Sequence, residues 1–369
     1  MNSNWQLPGR LCGAFLALSM PLCALAAEAQ DEGWDGHHFY AAHALVSNGA
    51  VAADFTDANL VNAWGLAFNP NAVVWVANNG TGTSTLYDGA GNAAPLVVDI
   101  PPAAIGDGLG HPTGIVFSGS SDFVVSENSV SGPSRFLFAS EDGSISGWAP
   151  NVDLHHAVRA VDRSAVGAVY KGLALGGNGA THLVYATDFR NRRVDVFDAQ
   201  FAPVTRAGAF QDSAIPWNFA PFGIQNVNGD IYVSYAEQDS AAHDNVDGRG
   251  LGMIDVFDAN GTLIRRFAAR GALNAPWGIA LAPTSFGRFG GALLVGNFGD
   301  GAINGYNPVS GRLLGSLRDA DGHKLHLDGL WGISFGNGVL GQGTNALYYA
   351  AGPNGESDGV YGVVRAVIH

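Results

Sequence analysis

The sequence predicts an all-β protein, a six-bladed β-propeller. Two observations carry the prediction: a glycine-centred signature recurs along the chain, and a β-rich stretch follows each copy. The glycines are 49 to 58 residues apart, a period typical of propeller blades. The six signature glycines are Gly65, Gly114, Gly172, Gly223, Gly278 and Gly332.

The signature itself is predicted to form the inner strand of each blade, and the β-rich stretch after it the second strand. These stretches, rich in β-branched and aromatic residues, are 73–77, 123–126, 183–186, 231–234, 293–296 and 347–350. Third strands are clearest at 193–198 and 253–258. Blades packed radially cover one another's faces, and closing the ring protects the strand edges. Residues 44–46 are expected to pair with 360–367 and so latch the ring.

The amino terminus has the order of a secretory signal peptide, with Arg10, an apolar run and the small residues around Ala26. We expect a signal peptide at 1–26, a flexible lead at 27–41 and the propeller at 42–369. The protein would then be secreted or periplasmic. Both cysteines, Cys12 and Cys23, fall in the signal segment, so the mature chain would have no disulfide.

The charge balance narrows the range of partners. The chain has 18 Lys and Arg against 32 Asp and Glu, a formal net charge of −14. Such a surface repels nucleic acid and anionic membranes. No later apolar run reaches the roughly 20 residues of a membrane-spanning helix. We therefore expect an unknown protein, glycan or small molecule as partner, and neither nucleic acid nor a membrane span.

The third repeat resembles an NHL repeat in its strings 170–175, 184–188 and 191–198. Nearly the whole mature chain resembles an uncharacterised family of secreted bacterial propellers found in organisms with the PEP-CTERM sorting system. That resemblance rests on strings including 60–65, 78–82, 142–148, 273–278, 294–301 and 328–332. It implies the propeller fold and NHL-like four-stranded blades but names no activity. The sequence ends at His369 without the sorting tail of many such proteins, so surface anchoring by that route is not expected.

A candidate site follows from propeller geometry, because inner strands begin and second strands end on the same face. Polar residues at these positions would meet around one channel mouth. The predicted binding residues are Asn78, Asn79, Glu127, Asp188, Glu237, Asn297, Asp300, His111 and Lys171. The inserted loop 238–252, with His243 and Asp244, is a further polar candidate.

Four of these residues form the predicted metal set: Glu127, Asp188, Glu237 and Asn297. Oxygen ligands converging from separate blades could hold calcium, which accepts about 6 to 8 of them. The alternative is that each side chain caps the turn after its strand.

Two of the predicted binding residues, Lys171 and His111, each have more than one possible role. Lys171 beside its glycine either pairs with a carboxylate, for which Asp188 and Glu127 are the candidates, or reaches the channel mouth. His111 is either a metal ligand or general base, or a hydrogen-bonded residue of the rim.

Three functions remain open at this point. One is a binding scaffold with an acidic channel mouth that could hold a divalent cation. The second is a metal-assisted hydrolase or lyase, similar to lactonases or streptogramin lyases, acting at the same mouth. The third is a purely structural role in an extracellular matrix. No catalytic residue set of those enzymes can be matched in order, so whether the chain is an enzyme stays open. Calcium is the one cofactor that these oxygen ligands suggest.

Overall fold

The computed structural model describes residues 1–2, 38–179 and 181–368. The predicted signal peptide cleavage at Ala26 and residues 27–37 of the predicted lead lie outside the described residues. Among the described residues there is no α-helix, only two 3₁₀ turns at Ser164–Val166 and Gly287–Phe289. No helix in the described part is long and apolar enough to span a membrane.

The strands form six antiparallel blades, and the first strand of each blade in the chain is its innermost. Strands β1 (His38–Ser47) and β2 (Phe55–Thr56) precede the first blade. Blade one contains β3 (Ala63–Phe68), β4 (Val74–Asn78), β5 (Thr83–Tyr87) and β6 (Val98–Asp99). Blade two contains β7 (Pro112–Phe117), the hairpin β8 (Val124–Glu127) and β9 (Val130–Pro133), then β10 (Phe136–Ser140), β11 (Ser144–Trp148) and β12 (Val158–Asp162). Blade three contains β13 (Tyr170–Gly177), β14 (His182–Asp188) and β15 (Arg193–Asp198).

The remaining three blades follow the same plan. Blade four contains β16 (Phe219–Val227), β17 (Asp230–Gln238), the short β18 (Asn245–Val246), β19 (Met253–Phe257) and β20 (Leu263–Ala269). Blade five contains β21 (Pro276–Leu281), β22 (Leu293–Asn297), β23 (Ile303–Tyr306) and β24 (Leu313–Ser316). Blade six contains β25 (Leu330–Phe335), β26 (Ala346–Ala351) and β27 (Val360–Ile368). Each inner strand packs beside the next, and β25 packs beside β3, which closes the ring.

The predicted six-bladed propeller is confirmed, and so is its latch. Strand β1 pairs antiparallel with β27, with Val46 opposite Tyr361, and supplies the outer strand of blade six. It begins at His38, four residues before the predicted start of the propeller. Since β1 comes from one end of the chain and β27 from the other, their hydrogen bonds join the two ends of the ring.

The six signature glycines explain how the inner strands come so close together. A Cβ on Gly65 would lie 2.6 Å from the Thr113 carbonyl oxygen in the next inner strand. A Cβ on Gly332 would lie 2.5 Å from the Trp64 carbonyl oxygen, across the closure between blades six and one. Any side chain at these positions would therefore push neighbouring blades apart. The repeated glycine is a packing requirement of the ring.

The second strand of blade two was predicted at 123–126, and this prediction is wrong. That stretch forms β8, which pairs only with β9 in a separate hairpin. The second strand is β10, whose five residues are all buried and which pairs with β7. The inserted hairpin places β10 beyond the expected distance from Gly114, and an apolar run inside the hairpin falls at that distance. The other five predicted second strands are confirmed.

Candidate functional site at the top mouth of the channel

We call the face where inner strands begin and second strands end the top face, and the opposite one the bottom face. The last residue of a second strand and the residue after it have different surroundings. Asn78, at the end of β4, is buried and donates to Thr83 and Thr85 within its own blade. Asn79 instead reaches Glu141 of blade two, at 2.8 Å. The residue after the strand therefore faces the channel.

Lys171 lies at the centre of this mouth. It is at the start of β13, and its side chain is only 2% exposed. The Nζ atom donates to Glu141 Oε1 and to Asp244 Oδ1, the latter at 3.1 Å. It also lies 5.2 Å from the centroid of the Trp64 ring, a cation–π distance. The predicted partners, Asp188 and Glu127, are not the residues that pair with this ammonium.

Aromatic side chains beneath Lys171 form the floor of the mouth. Trp64 and Trp331 stack with centroids 3.6 Å apart, and Phe298 stacks on Trp331 at 4.0 Å. Asn62 fixes the stack, since its Oδ1 accepts from Trp64 Nε1 at 2.9 Å and from Trp331 Nε1 at 3.1 Å. Trp277 donates from Nε1 to the Lys171 carbonyl oxygen at 3.0 Å. Each indole N–H in the floor is thereby satisfied.

Blade six contributes a carboxylate, Glu356, to the polar side chains at the mouth. Glu356 Oε2 accepts from Asn62 Nδ2 at 2.7 Å, and Asn62 also donates to Asn79 Oδ1 at 3.2 Å. The network from Glu356 through Asn62 and Asn79 to Glu141 thus connects blades six, one and two. Burial raises the pKa of Glu356, and the negative charge of Glu141 adds to this shift, although the bond from Asn62 opposes it.

The shifted pKa values of Lys171, Glu141 and Asp244 favour the charged form of each group. Burial opposes ionisation of Glu141, but the Lys171 ammonium outweighs it and holds the pKa of that carboxyl below its usual value. The same carboxylates raise the pKa of Lys171 against the effect of burial. A hydrogen bond between His243 and Asp244 lowers the pKa of Asp244 and raises that of His243. The mouth therefore contains an ammonium between two carboxylates.

Two of the predicted metal ligands are buried and bonded to neighbouring protein groups. Asp188 is fully buried and accepts from the backbone N–H of Val169 and Asn191, each at 3.2 Å, and from Asn191 Nδ2 at 2.7 Å. Asn297 is also buried, and its Nδ2 donates to the Ala272 carbonyl oxygen and to Asp300. Asp188 matches the turn-capping alternative, whereas the Asn297 amide bonds the carbonyl oxygen of a residue 25 positions earlier and the side chain of Asp300.

Other predicted residues are more exposed. Glu127 lies on the exposed hairpin strand β8, so its predicted place at the end of a second strand is wrong. Glu237 is half-buried near the end of β17, opposite Phe219. His111 contacts Asp107 at 3.0 Å.

The capping arrangement at Asp188 gives a first prediction. Asp188→Asn is expected to lower the free energy of unfolding by about 1 kcal/mol, the scale of one hydrogen bond, because the amide nitrogen cannot accept. Urea denaturation measures this change. The substitution should leave ligand binding at the top mouth unchanged, so an altered affinity would mean that Asp188 belongs to the site.

Two groups of side chains in the described part have ligand atoms close enough to share one metal ion. One is Glu141, His243 and Asp244, and the other is Asp319, Asp321 and His323. Neither group includes any of the four predicted metal ligands. In the first group, the Lys171 ammonium already bridges Glu141 and Asp244, so an ion there would have to displace it.

The sequence missed Glu141, Asp244 and Glu356 as members of the mouth. Glu141 follows β10 as Asn79 follows β4, so a correct second strand in blade two would have identified it. Asp244 was noted within an inserted loop, but only the folded chain shows that this loop reaches Lys171. Glu356 lies in a glycine-rich turn of blade six, where nothing in the local sequence marks a site.

Comparisons with solved structures agree with the propeller. A streptogramin B lyase structure has a TM-score of 0.50 at 12% identity and covers 89% of this chain and 98% of that one. A PQQ-bound aldose sugar dehydrogenase from Streptomyces coelicolor also has a TM-score of 0.50 at 12% identity, covering 90% and 99%. A Bacteroides thetaiotaomicron protein of unknown function reaches 0.54 at 11% identity, covering 89% and 76%. At these identities the likeness concerns the fold alone.

Sequence comparisons give relatives whose names assign no function. No protein-family model matches the chain. Two proteins of Acanthamoeba polyphaga mimivirus, "Uncharacterized protein R648" and "Uncharacterized protein L690", are each 34% identical over 297 residues. The matches cover 79% of this chain, and 72% and 77% of the two relatives. The chain belongs to the same family as these two mimivirus proteins.

Proposed function

We propose that the chain is a secreted binding propeller that takes a positively charged ligand group at its top mouth. The observation that carries the proposal is the Lys171 ammonium, held between Glu141 and Asp244 and over the Trp64 ring. Carboxylates above an aromatic face form a site suited to a cation, and the chain's own side chain occupies its deepest part.

Charge at the mouth supports a cationic ligand. Glu141, Asp244 and Glu356 outnumber the two cationic groups beside them, Lys171 and His243, whose pKa its bond to Asp244 raises. Asp244 is 64% exposed, so it faces incoming ligand. Acidic clefts raise the local concentration of cations and their rate of association. Secretion, the NHL-like repeats and membership of the bacterial family remain predictions from the sequence.

A titration with spermidine, an organic cation, tests the proposal. Binding should quench tryptophan fluorescence because Trp64 and Trp331 form the floor, and calorimetry should give the same affinity. Glu356→Gln should weaken binding several-fold, because it removes a carboxylate that the ligand would contact. Affinity should also fall as the pH decreases, since Glu356 with its raised pKa is protonated before ordinary carboxyls.

Glu127→Gln is the matched control. Glu127 carries the same charge but lies on the exposed hairpin β8, so this variant should bind like the wild type. If Glu127→Gln weakens binding and Glu356→Gln does not, the ligand site is not the mouth described here. Absence of spermidine binding in the wild type would also contradict the proposal.

The second candidate occupant is a divalent cation, and with it the metal-assisted hydrolase or lyase. It is favoured by the close ligand atoms of Glu141, His243 and Asp244. Calcium binding that Asp244→Asn abolishes would support this alternative. The position of the Lys171 ammonium argues for the organic cation first.

A further inference from the structure

The bottom face of the ring has a mouth of very different chemistry. A cavity of about 480 Å³ opens there, lined by the ends of inner strands from all six blades. Its rim consists of one residue from each inner strand, three places after the signature glycine: Phe68, Phe117, Leu175, Asn226, Leu281 and Phe335. Five of these six side chains are large and apolar, and all six are at least partly exposed.

The cavity narrows towards the middle of the ring. Beyond it lies a space of only about 40 Å³, lined by the aliphatic residue that follows each signature glycine. These residues are Leu66, Ile115, Leu173, Ile224, Ile279 and Ile333. Trp277, part of the aromatic floor of the top mouth, borders the same space. The bottom cavity is therefore a funnel that narrows from an open mouth to a tight end.

Among the residues that the structure describes, the lining of the funnel has no ionisable side chain, although the protein has a formal net charge of −14. Its side-chain amides come from blade four alone, at Gln225, Asn226 and Asn228. Asn226 is engaged, since it donates to the Leu175 carbonyl oxygen at 2.8 Å and accepts from Gly229 N–H at 2.9 Å. Gln225 is exposed and makes a bond of only 3.5 Å, to the Asn226 carbonyl oxygen.

We infer that this funnel binds an uncharged small molecule that has both apolar surface and hydrogen-bonding groups, one of them directed at Gln225. A charged ligand would lose its hydration without gaining a partner. The volume lies within the range of about 300–1,000 Å³ usual for small-molecule sites. The accessible lining is more polar than apolar although most of its side chains are apolar, so the ligand should offer hydrogen-bonding groups as well as apolar surface. A concave, tapering shape fits a small molecule better than a flat protein surface.

The experiment uses N-phenyl-1-naphthylamine, an uncharged aromatic amine whose fluorescence rises in apolar surroundings. The wild type should bind one molecule with micromolar affinity. Leu281→Asp and Ser334→Asp place a carboxylate in the funnel from blades five and six, and each should weaken binding at least tenfold. Circular dichroism and thermal melting establish that the variants are folded.

Leu263→Asp is the matched control. Leu263 is 37% exposed, as is Leu281, but it lies on the outer strand β20. It should leave the affinity unchanged. Weakening by Leu281→Asp without weakening by Ser334→Asp would move the probe to the neighbouring groove at Val309 and overturn the inference. The inference would also be overturned if the wild type did not bind the probe or if all three variants weakened binding equally. A dimer of the protein that covers the funnel and excludes the probe would overturn it as well.

Discussion

Replacing Lys171 with methionine is expected to lower the free energy of unfolding by about 3–5 kcal/mol, the usual effect of removing one partner from a buried ion pair. Methionine fills similar space, so the loss comes from charge: Glu141 stays buried without the ammonium that now ionises it. Urea or thermal denaturation at pH 7 measures the change.

The double variant Lys171→Met, Glu141→Gln distinguishes a charge effect from a packing effect. Because it leaves no unpaired charge next to the aromatic floor, it should recover most of the lost stability. If the double variant is as unstable as the single one, the lysine acts through packing, and the charge cluster is not the feature that organises the mouth.

The free energy of unfolding should change with pH in opposite directions in the wild type and in Lys171→Met. In the wild type, the depressed pKa of Glu141 adds stability that is present above the ordinary glutamate pKa of about 4.3 and lost on further acidification. The raised pKa of Lys171 adds stability that is lost only in strongly alkaline solution. In Lys171→Met, burial alone acts on Glu141 and raises its pKa, so the variant should regain stability as the pH falls from 7 towards 5.

The fold could be predicted because the repeat has a physical cause. Each signature glycine is required by the backbone of the next inner strand, so it recurs wherever blades meet. Strand β15 was predicted with its observed bounds, Arg193–Asp198, since its alternating pattern and its flanking turns are local. The same reasoning failed at the hairpin β8–β9, because an inserted apolar strand has the composition of a blade strand.

The site was predicted less well, for a geometric reason. Adjacent positions at a strand end face different ways, so an error of one residue exchanges a channel residue for one buried within the blade. Asp188 and Asn297 are at the buried position, and Asn79 and Glu141 are at the channel position. The contact between Lys171 and Asp244 joins residues 73 apart in the chain, which no local pattern predicts.

The second prediction with a large effect concerns Gly65, one of the six signature glycines. Gly65→Ala is expected to destabilise the propeller by about 3 kcal/mol or more, at or above the upper end of the usual effect of overpacking. The new Cβ would lie 2.6 Å from Thr113 O and 2.9 Å from Ile115 N. Both are backbone atoms of the next inner strand, so no side-chain rotation relieves the overlap. Blades one and two would have to separate at the channel.

Gly119→Ala is the control for this substitution, because its Cβ would meet only Phe117 Cε1 at an ordinary 3.4 Å and its backbone is not left-handed. It should change stability by less than about 0.5 kcal/mol, as surface substitutions usually do. Thermal unfolding of both variants gives the comparison, and near-ultraviolet circular dichroism of the tryptophans reports on the channel. Since Gly65 follows Trp64, separation of the blades should also loosen the Trp64–Trp331 stack and weaken spermidine binding. A Gly65→Ala protein with wild-type stability would show that the inner strands tolerate separation, and that the recurring glycine has a cause other than close packing around the axis.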